Sequence, residues 1–324
     1  MEPRTLQEAI VYFSKPENQR EYLVARRWPY GVTCPRCGSK NVLFLEKYNR
    51  WHCREKHDAP QFTLKTGTIF EDSPLGLDKW LTAMWMVVNC KNGVSSWEIH
   101  RALKITQKSA WFMDHRIRLA LQGKHTVKLG GSGKEVEVDE TFIGGKARNM
   151  HAKRRRRMMI GQRGPINKTI VFGMKERGGD VRAHVVSERN KVTLHPIIKE
   201  NVGKGSAIYT DEFNAYDGLQ GEYGHQVINH AEKYVDGLVH TNGMENFWSL
   251  LKRGLNGTYV AVEPFHLFRY IDEQAFRYNN RGNKKNPVND ADRFDMAVRQ
   301  IVGKRLMYKE LTGKVGVLPE PEPF

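Results

Sequence analysis

Val136 and Val138 alternate with Glu135, Glu137 and Asp139 at the start of residues 135–145, the sequence Glu-Val-Glu-Val-Asp-Glu-Thr-Phe-Ile-Gly-Gly. This period of two predicts a β-strand, and the closing glycine pair indicates a turn. A carboxylate within such a strand is costly to bury unless it is paired, hydrogen-bonded or metal-bound. We therefore expect Asp139, near the middle of the strand, to be a metal ligand.

Strand-type and helix-type patterns then follow one another towards the C-terminus. The predicted elements are strands at 169–175, 181–187, 206–211 and 226–229, a helix at 193–202 with Thr193 as its N-cap, and a helix at 242–255. Three strands followed by alternating helices and strands is the order of an RNase H-like domain. We therefore predict an α/β fold whose catalytic domain spans 134–260 and contains a mixed five-stranded sheet.

Helical patterns dominate residues 73–125. A nearly apolar helix is predicted at 77–89, followed by helices at 95–103 and 106–121. Ser95 with Glu98 three residues later forms a capping box, and Thr106 is the N-cap of the third helix. These helices predict a helix-turn-helix DNA-binding domain, with a plain three-helix bundle as the alternative. The exposed candidates for DNA contact on the third helix are Gln107, Lys108 and Arg116.

The four cysteines indicate a metal site near the N-terminus. Cys34-Pro-Arg-Cys37 is followed by glycine, and Cys53 lies within Trp-His-Cys-Arg-Glu-Lys-His. Cys3His is a normal tetrahedral zinc set, so His57 is the expected fourth ligand and His52 its rival. We predict a zinc ribbon at 31–72 with one structural Zn²⁺. Cys90, in an apolar helix, is predicted to be a core thiol.

The remaining segments complete five predicted domains. Residues 1–30 form a helical arm, and residues 261–324 form a C-terminal helical segment and tail, with helices at 264–281 and 290–302.

Charge points to a polyanionic partner. The formal net charge is +16, a surplus that favours nucleic acid. No run of about 18 apolar residues is present, and Met-Glu-Pro-Arg-Thr at the start lacks the apolar core of a signal peptide. We therefore expect a cytoplasmic, nucleoid-associated protein with no membrane partner.

Three acids in separate predicted elements are candidates for one active site. Asp139 lies in the first strand of the domain, Asp211 ends the fourth, and Glu245 lies near the start of the helix at 242–255. Together they offer the oxygen ligands that two Mg²⁺ or Mn²⁺ ions require for phosphoryl transfer. Spacing alone leaves rivals open, namely Glu137, Glu140, Glu212, Asp217, Asp236 and Asn242, the last being more simply a helix N-cap. Trp248, on the same predicted helix, is expected to be a core residue, with base stacking as the alternative.

Five motifs in order resemble one family. They are Cys34-x-x-Cys37 with Thr66-Gly-Thr-Ile-Phe70, Val138-Asp-Glu-Thr-Phe-Ile-Gly-Gly-Lys146, Tyr209-Thr-Asp-Glu212, Asn242-Gly-Met-Glu-Asn-Phe-Trp-Ser-Leu-Leu-Lys-Arg253, and His266-Leu-Phe-Arg-Tyr-Ile-Asp-Glu273 with Arg277-Tyr-Asn-Asn-Arg281. This set resembles the bacterial insertion-sequence transposases with a zinc ribbon ahead of a DDE domain, the ISXO-like group. Many relatives have a second CxxC, for which His57 substitutes here.

The resemblance implies residue roles. It implies that Asp139, Asp211 and Glu245 are the catalytic acids, with Asn242 as a fallback for the third metal ligand. It also implies that Lys252, which lies seven residues after Glu245, contacts a DNA phosphate. We expect DNA phosphates to be bound by four consecutive arginines, Arg154, Arg155, Arg156 and Arg157. The alternative is that these residues form a solvated loop.

The implied activity is DNA transposition. The enzyme would cut strands at insertion-sequence ends and transfer the 3′-hydroxyl into target DNA, with terminal inverted repeats bound by the ribbon and the helix-turn-helix. Joining two ends requires a homodimer or larger assembly. The alternatives are an RNase H-like DNA nuclease and a domesticated transposase that only binds specific DNA.

Overall fold

A computed structural model describes residues 2–123, 126–144, 152, 168–211, 214–228, 240–283 and 286–313. The chain forms two compact units. One combines residues 1–123 with 280–324, and the other comprises residues 124–279. The five-part domain division stays a prediction.

The described secondary structure contains helices in both units. In chain order the α-helices are α1 (Leu6–Phe13), α2 (Pro16–Arg27), α3 (Leu77–Asn89), α4 (Ser96–Leu103), α5 (Gln107–Leu121), α6 (Lys191–Asn201), α7 (Asn242–Gly254), α8 (Leu267–Asn279), α9 (Asp290–Arg299) and α10 (Tyr308–Leu311). The strands are β1 (Val42–Leu45), β2 (Arg50–Cys53), β3 (Gln61–Phe62), β4 (Leu129–Gly130), β5 (Glu135–Ile143), β6 (Thr169–Glu176), β7 (Val181–Val186), β8 (Val202–Gly203), β9 (Ala207–Asp211) and β10 (Gly224–Ile228). None of the described helices has the length and apolar character needed to cross a membrane.

The first unit contains a small sheet and a set of helices. Strands β1, β2 and β3 form an antiparallel sheet in that order. The three predicted helices are confirmed as α3, α4 and α5, and capping side chains fix the starts of α4 and α5. Ser95 and Glu98 form the predicted capping box, and Thr106 accepts from the Ser109 amide at the start of α5. Cys90 is exposed at the end of α3, so the predicted core thiol is wrong.

The second unit is built on a mixed five-stranded sheet of order β10-β9-β5-β6-β7. Strand β5 is antiparallel to β6 and parallel to β9. Its even positions, including Val136 and Val138, pack with Leu194 and Ile198 of α6. The opposite face of the sheet packs against α7 and α8, where Val171 of β6 meets Phe247. Because side chains alternate along β5, Glu137 and Asp139 lie on this second face.

Two predicted N-caps in this unit are wrong, although helix α7 begins at residue 242 as predicted. Helix α6 begins at Lys191, because Asn190 accepts from the Thr193 amide and is the N-cap in place of Thr193. Helix α7 has Thr241 at its N-cap position, so Asn242 is its first helical residue.

Candidate active site and metal centre

Asp139 and Asp211 lie on adjacent strands. The parallel register pairs Glu137 of β5 with Tyr209 of β9, and continuing it by two residues brings Asp139 beside Asp211. Burial and then the negative charge of Asp211 raise the pKa of Asp139 to about 7. Within the described residues, no Lys or Arg side chain forms an ion pair with Asp139. Two neighbouring carboxylates in such a setting are a favourable place for a cation.

Glu137, a rival for the metal site, anchors α7 instead. Its side chain is 2% exposed, and its Oε2 accepts from the Met244 amide at 3.0 Å. Its Oε1 accepts from Arg177 Nε at 3.1 Å. Thr241 makes no side-chain cap bond, so a carboxylate from β5 takes the place of the cap. This negative charge also suits the positive end of the helix dipole.

Glu245 lies in the sequence between Thr241, which contacts Asp211, and Trp248, which contacts Asp139. Thr241, four residues before it, has Oγ1 at 3.5 Å from Asp211 Oδ1. Trp248, three residues after it, donates from Nε1 to Asp139 Oδ2 at 2.9 Å. Residues three and four apart share a helix face, so Glu245 lies on the same face of α7 as these two residues. Glu245 is exposed, as are Asn242 and Lys252 on the same helix.

The other acidic candidates for the metal site either lie away from Asp139 or fall outside the described residues. Glu140 accepts from the Tyr216 hydroxyl at 2.7 Å, and Tyr216 packs on the α6 side of the sheet. Burial raises the pKa of Glu140. The structure thus gives Glu140 the opposite face from Asp139, as strand alternation predicts. Asp217 is exposed after β9, and Glu212 and Asp236 lie outside the described residues.

Gly243 allows α7 to approach β5, and adding a side chain there is expected to destabilise the protein. A Cβ at this position would lie 2.6 Å from Glu137 Oε2 and 2.9 Å from Lys175 Cδ. Alanine favours a helix over glycine by up to about 1 kcal/mol, but overpacking typically costs about 1–3 kcal/mol. Gly243→Ala should therefore lower the urea midpoint of unfolding. In Gly257→Ala the new Cβ meets no atom within 4 Å, and this control should unfold at or slightly above the midpoint of the unmodified protein. Equal midpoints for all three proteins would contradict the helix-anchoring role.

The predicted zinc ligands form one cluster. The ligand atoms of Cys34, Cys37, Cys53 and His57 all lie within 4.8 Å of one another. His57 Nδ1 lies 2.8 Å from the Asp58 carbonyl oxygen, a contact that favours a proton on Nδ1 and leaves Nε2 available for a metal. This Cys3His set suits tetrahedral Zn²⁺ and supports a structural zinc site. The rival His52 lies outside this cluster.

The predicted DNA-contact residues have different environments. Lys108 is exposed, and Gln107 is half-buried with its amide donating to Ser96 Oγ at 3.0 Å. Arg116 is 4% exposed, so its predicted exposure is wrong. Its guanidinium lies over the Trp80 ring and donates to the Glu71 carbonyl, and burial lowers its pKa to about 10. Residues 154–157 lie outside the described residues.

Trp248 makes a hydrogen bond to Asp139 that the sequence pattern did not predict. It is 4% exposed and lies in the apolar cluster, as predicted, but it also contacts Asp139. The available signal was the position of an indole three residues after Glu245, on the helix face that meets the strand. A buried indole N–H needs an acceptor, and Asp139 is one.

Comparisons with known proteins agree with these features. The ISXO2-like transposase domain matches residues 128–279, and the transposase zinc-ribbon domain matches residues 16–55. An uncharacterized protein in transposable element ISH50 of Halobacterium salinarum is 27% identical over 260 residues, which cover 76% of this chain and 85% of that protein. An uncharacterized transposase-like protein of Haemophilus influenzae is 37% identical over 97 residues, which cover 30% of this chain and 78% of that protein.

A solved structure also matches, although weakly. A chain of a simian T-cell lymphotropic virus intasome in complex with PP2A regulatory subunit B56 gamma has a TM-score of 0.29 and 11% identity, covering 66% of this chain and 74% of that chain. The sequence matches do show the family, and the chain belongs to the ISXO2-like transposases, with a transposase zinc ribbon preceding the transposase domain in the sequence.

Proposed function

We propose that this protein is a DDE transposase that cuts DNA strands at insertion-sequence ends and joins the resulting 3′-hydroxyl to target DNA. The observation that carries the proposal is the pairing of Asp139 with Asp211 inside a transposase-family domain, where Asp139 is half-buried and its pKa is raised to about 7. Glu245 joins them from α7 as the third acid. The strand order of the sheet supports an RNase H-like domain, since its first strand is central, antiparallel to the second and parallel to the fourth.

The donor set fits divalent metal ions. Carboxylate oxygens are the ligands that Mg²⁺ and Mn²⁺ prefer, and a cation would offset the repulsion between Asp139 and Asp211. Asp139 and Asp211 would each hold an ion from the sheet, and Glu245 would add a ligand from α7. When bound, a pair of such ions activates an attacking oxygen and stabilises the leaving one in phosphoryl transfer.

The protein's own residues contribute position and charge. Glu137 and Arg177 hold the start of α7, so the exposed Glu245 stays on the same side of the sheet as the two aspartates. Lys252, two turns further along α7, carries a positive charge suited to a phosphate of the bound strand. Chemistry of this kind depends mostly on positioning and charge neutralisation, which these residues supply.

DNA binding is proposed for the first unit. Helices α4 and α5 are joined by a short turn, which supports a helix-turn-helix with Gln107 and Lys108 at the start of the recognition helix. A surface cavity of about 570 Å³ adjoins this turn, and its lining includes Lys79, Arg101 and Lys104. These cations suit DNA phosphates, and we propose that this surface helps to bind the terminal inverted repeats.

Removing one of these cations is expected to weaken binding to all DNA sequences alike. Each lost phosphate contact should reduce the slope of log K against log salt by about 1. Arg101→Ala and Lys79→Ala should each show this change in a salt titration of binding to linear duplex DNA. Lys15→Ala removes the same charge from an exposed position at the start of α2 and serves as the control. A slope for Arg101→Ala equal to that of Lys15→Ala would contradict a phosphate contact at this cavity.

A strand-joining assay distinguishes the candidate activities. Purified protein is incubated with supercoiled plasmid, Mg²⁺ or Mn²⁺, and linear DNA carrying candidate ends. Joined products support a transposase, whereas nicks alone indicate a nuclease. Mobility shifts without cleavage indicate a DNA-binding protein that has lost catalysis. We expect joined products. In the cell, we propose that a homodimer or larger assembly on DNA carries out this reaction in the cytoplasm.

A further inference from the structure

Trp248 connects the apolar cluster under α7 to the carboxylate of Asp139. Its ring packs with Met244 and Phe247, and its side chain is 4% exposed. Its Nε1–H donates to Asp139 Oδ2 at 2.9 Å. A buried indole N–H needs an acceptor, and this acceptor is the carboxylate proposed to hold metal. The contact is therefore specific to the site and is not explained by packing alone.

The Asp139 carboxylate is held at both of its oxygens. The backbone N–H of Glu140 donates to Oδ1 at 2.7 Å, while Trp248 donates to Oδ2. Each oxygen of an ionised carboxylate has two acceptor sites, so one site on each oxygen remains for a cation. The carboxylate plane cannot rotate without breaking one of the two hydrogen bonds. Of the two donors, only the indole depends on a side chain, so its contribution can be removed by substitution.

Gly173 provides the space that the indole occupies. It lies directly opposite Asp139 in the antiparallel register of β5 and β6. Directly opposite residues point to the same face of a sheet. A Cβ at position 173 would lie 2.3 Å from Met244 Cε, at the far end of a flexible side chain, and 2.6 Å and 2.7 Å from Trp248 Cζ2 and Cη2, closer than real Cβ atoms approach. The missing side chain at Gly173 thus lets the indole lie beside Asp139.

We infer that Trp248 and Gly173 form a positioning pair that orients the Asp139 carboxylate for a divalent cation. This inference rests on the proposed function, because it requires that Asp139 holds a metal ion. Trp248 acts through Asp139 and is a positioning residue. Loss of an outer hydrogen-bond partner of a metal ligand typically changes metal affinity or activity by about 10–100-fold.

Trp248→Phe tests the hydrogen bond while retaining an aromatic ring in the cluster. The affinity of the full-length, zinc-loaded protein for Mn²⁺ is measured by calorimetry without DNA, and strand joining is measured separately. We expect the Mn²⁺ affinity to fall by about 10–100-fold. Leu251→Ala is the control, because Leu251 is 2% exposed in the same cluster and makes no polar contact with Asp139. It should lower the unfolding midpoint and leave Mn²⁺ affinity unchanged. Equal Mn²⁺ affinities for the two variants would overturn the inference.

A double substitution tests the part played by Gly173. Gly173→Ala should weaken Mn²⁺ binding, because the new methyl group displaces the indole. Phenylalanine lacks Cζ2 and Cη2, and the terminal methyl group of Met244, the other atom close to the new Cβ, can move, so Gly173→Ala should cost little further affinity in the Trp248→Phe background. Additive losses would show that Gly173 acts independently of Trp248. If Gly173→Ala does not fold, the comparison of Trp248→Phe with Leu251→Ala still decides the role of the indole.

Asp139→Asn separates failure of this inference from failure of the proposed function. If Asp139→Asn abolishes Mn²⁺ binding and Trp248→Phe leaves it unchanged, only the positioning role is wrong. If Asp139→Asn leaves Mn²⁺ binding unchanged, the proposed metal site and the positioning role are both wrong. We expect Asp139→Asn to abolish binding and Trp248→Phe to weaken it.

Discussion

Asp139→Asn is expected to reduce strand joining by at least about 10³-fold, because metal-bound carboxylates supply several kcal/mol of transition-state stabilisation. Asparagine keeps the size of the side chain but removes the negative charge that would hold a cation. The rate of product formation is measured on supercoiled plasmid with Mg²⁺ and then with Mn²⁺. Binding of linear DNA, measured at several salt concentrations, should be unchanged.

The matched control is Asp180→Asn. Asp180 is an exposed aspartate in the turn between β6 and β7, so the same charge is removed from the same unit. This variant should join strands at the unmodified rate. Asp211→Asn should resemble Asp139→Asn, since the two carboxylates are neighbours and Asp211 contributes to the raised pKa of Asp139. Retained joining by Asp139→Asn would remove this residue from the mechanism.

Loss of zinc has the second large expected effect. The purified protein should contain one Zn²⁺ per chain by elemental analysis, and Cys53→Ser should lose it. Structural zinc in small domains contributes about 10–16 kcal/mol of apparent binding free energy, so the ribbon should unfold when a ligand is lost. Protease digestion should then cut within residues 31–72, and binding to insertion-sequence ends should weaken.

Cys90→Ser is the control for this experiment, because Cys90 is the cysteine outside the cluster. It should retain zinc and resist protease. His57→Ala should lose zinc, whereas His52→Ala should keep it, because His57 Nε2 lies 3.5 Å from Cys34 Sγ. Full zinc content in His57→Ala would contradict the Cys3His assignment.

Much of the fold follows from local signals in the sequence. The alternation in β5 can be recognised in the sequence because Val136 and Val138 pack into an apolar cluster on one face of the sheet, whereas the acidic residues between them do not. The starts of α4 and α5 are fixed by side chains that cap neighbouring backbone amides, so Ser95 and Thr106 identify them. The zinc ligands are predictable for a similar reason, since their chemistry and spacing leave few alternatives.

The remaining features depend on partners distant in sequence. The predicted exposure of Arg116 fails because its hydrogen-bond acceptor, the Glu71 carbonyl, is supplied by another segment. The roles of Glu137 and Trp248 depend on how α7 meets β5, and no local pattern encodes that contact. The role of Gly173 is harder still to predict from the sequence, because it appears only once the register of β5 against β6 is known.

The central claim is that Asp139, Asp211 and Glu245 converge on a pair of divalent cations. A crystal structure of the full-length protein grown with Mn²⁺, with anomalous diffraction recorded at the manganese edge, tests it most directly. We predict two anomalous peaks between the three carboxylates, and their loss in crystals of Asp139→Asn. Absence of manganese between Asp139 and Asp211, or a Glu245 side chain directed away from them, would contradict the account.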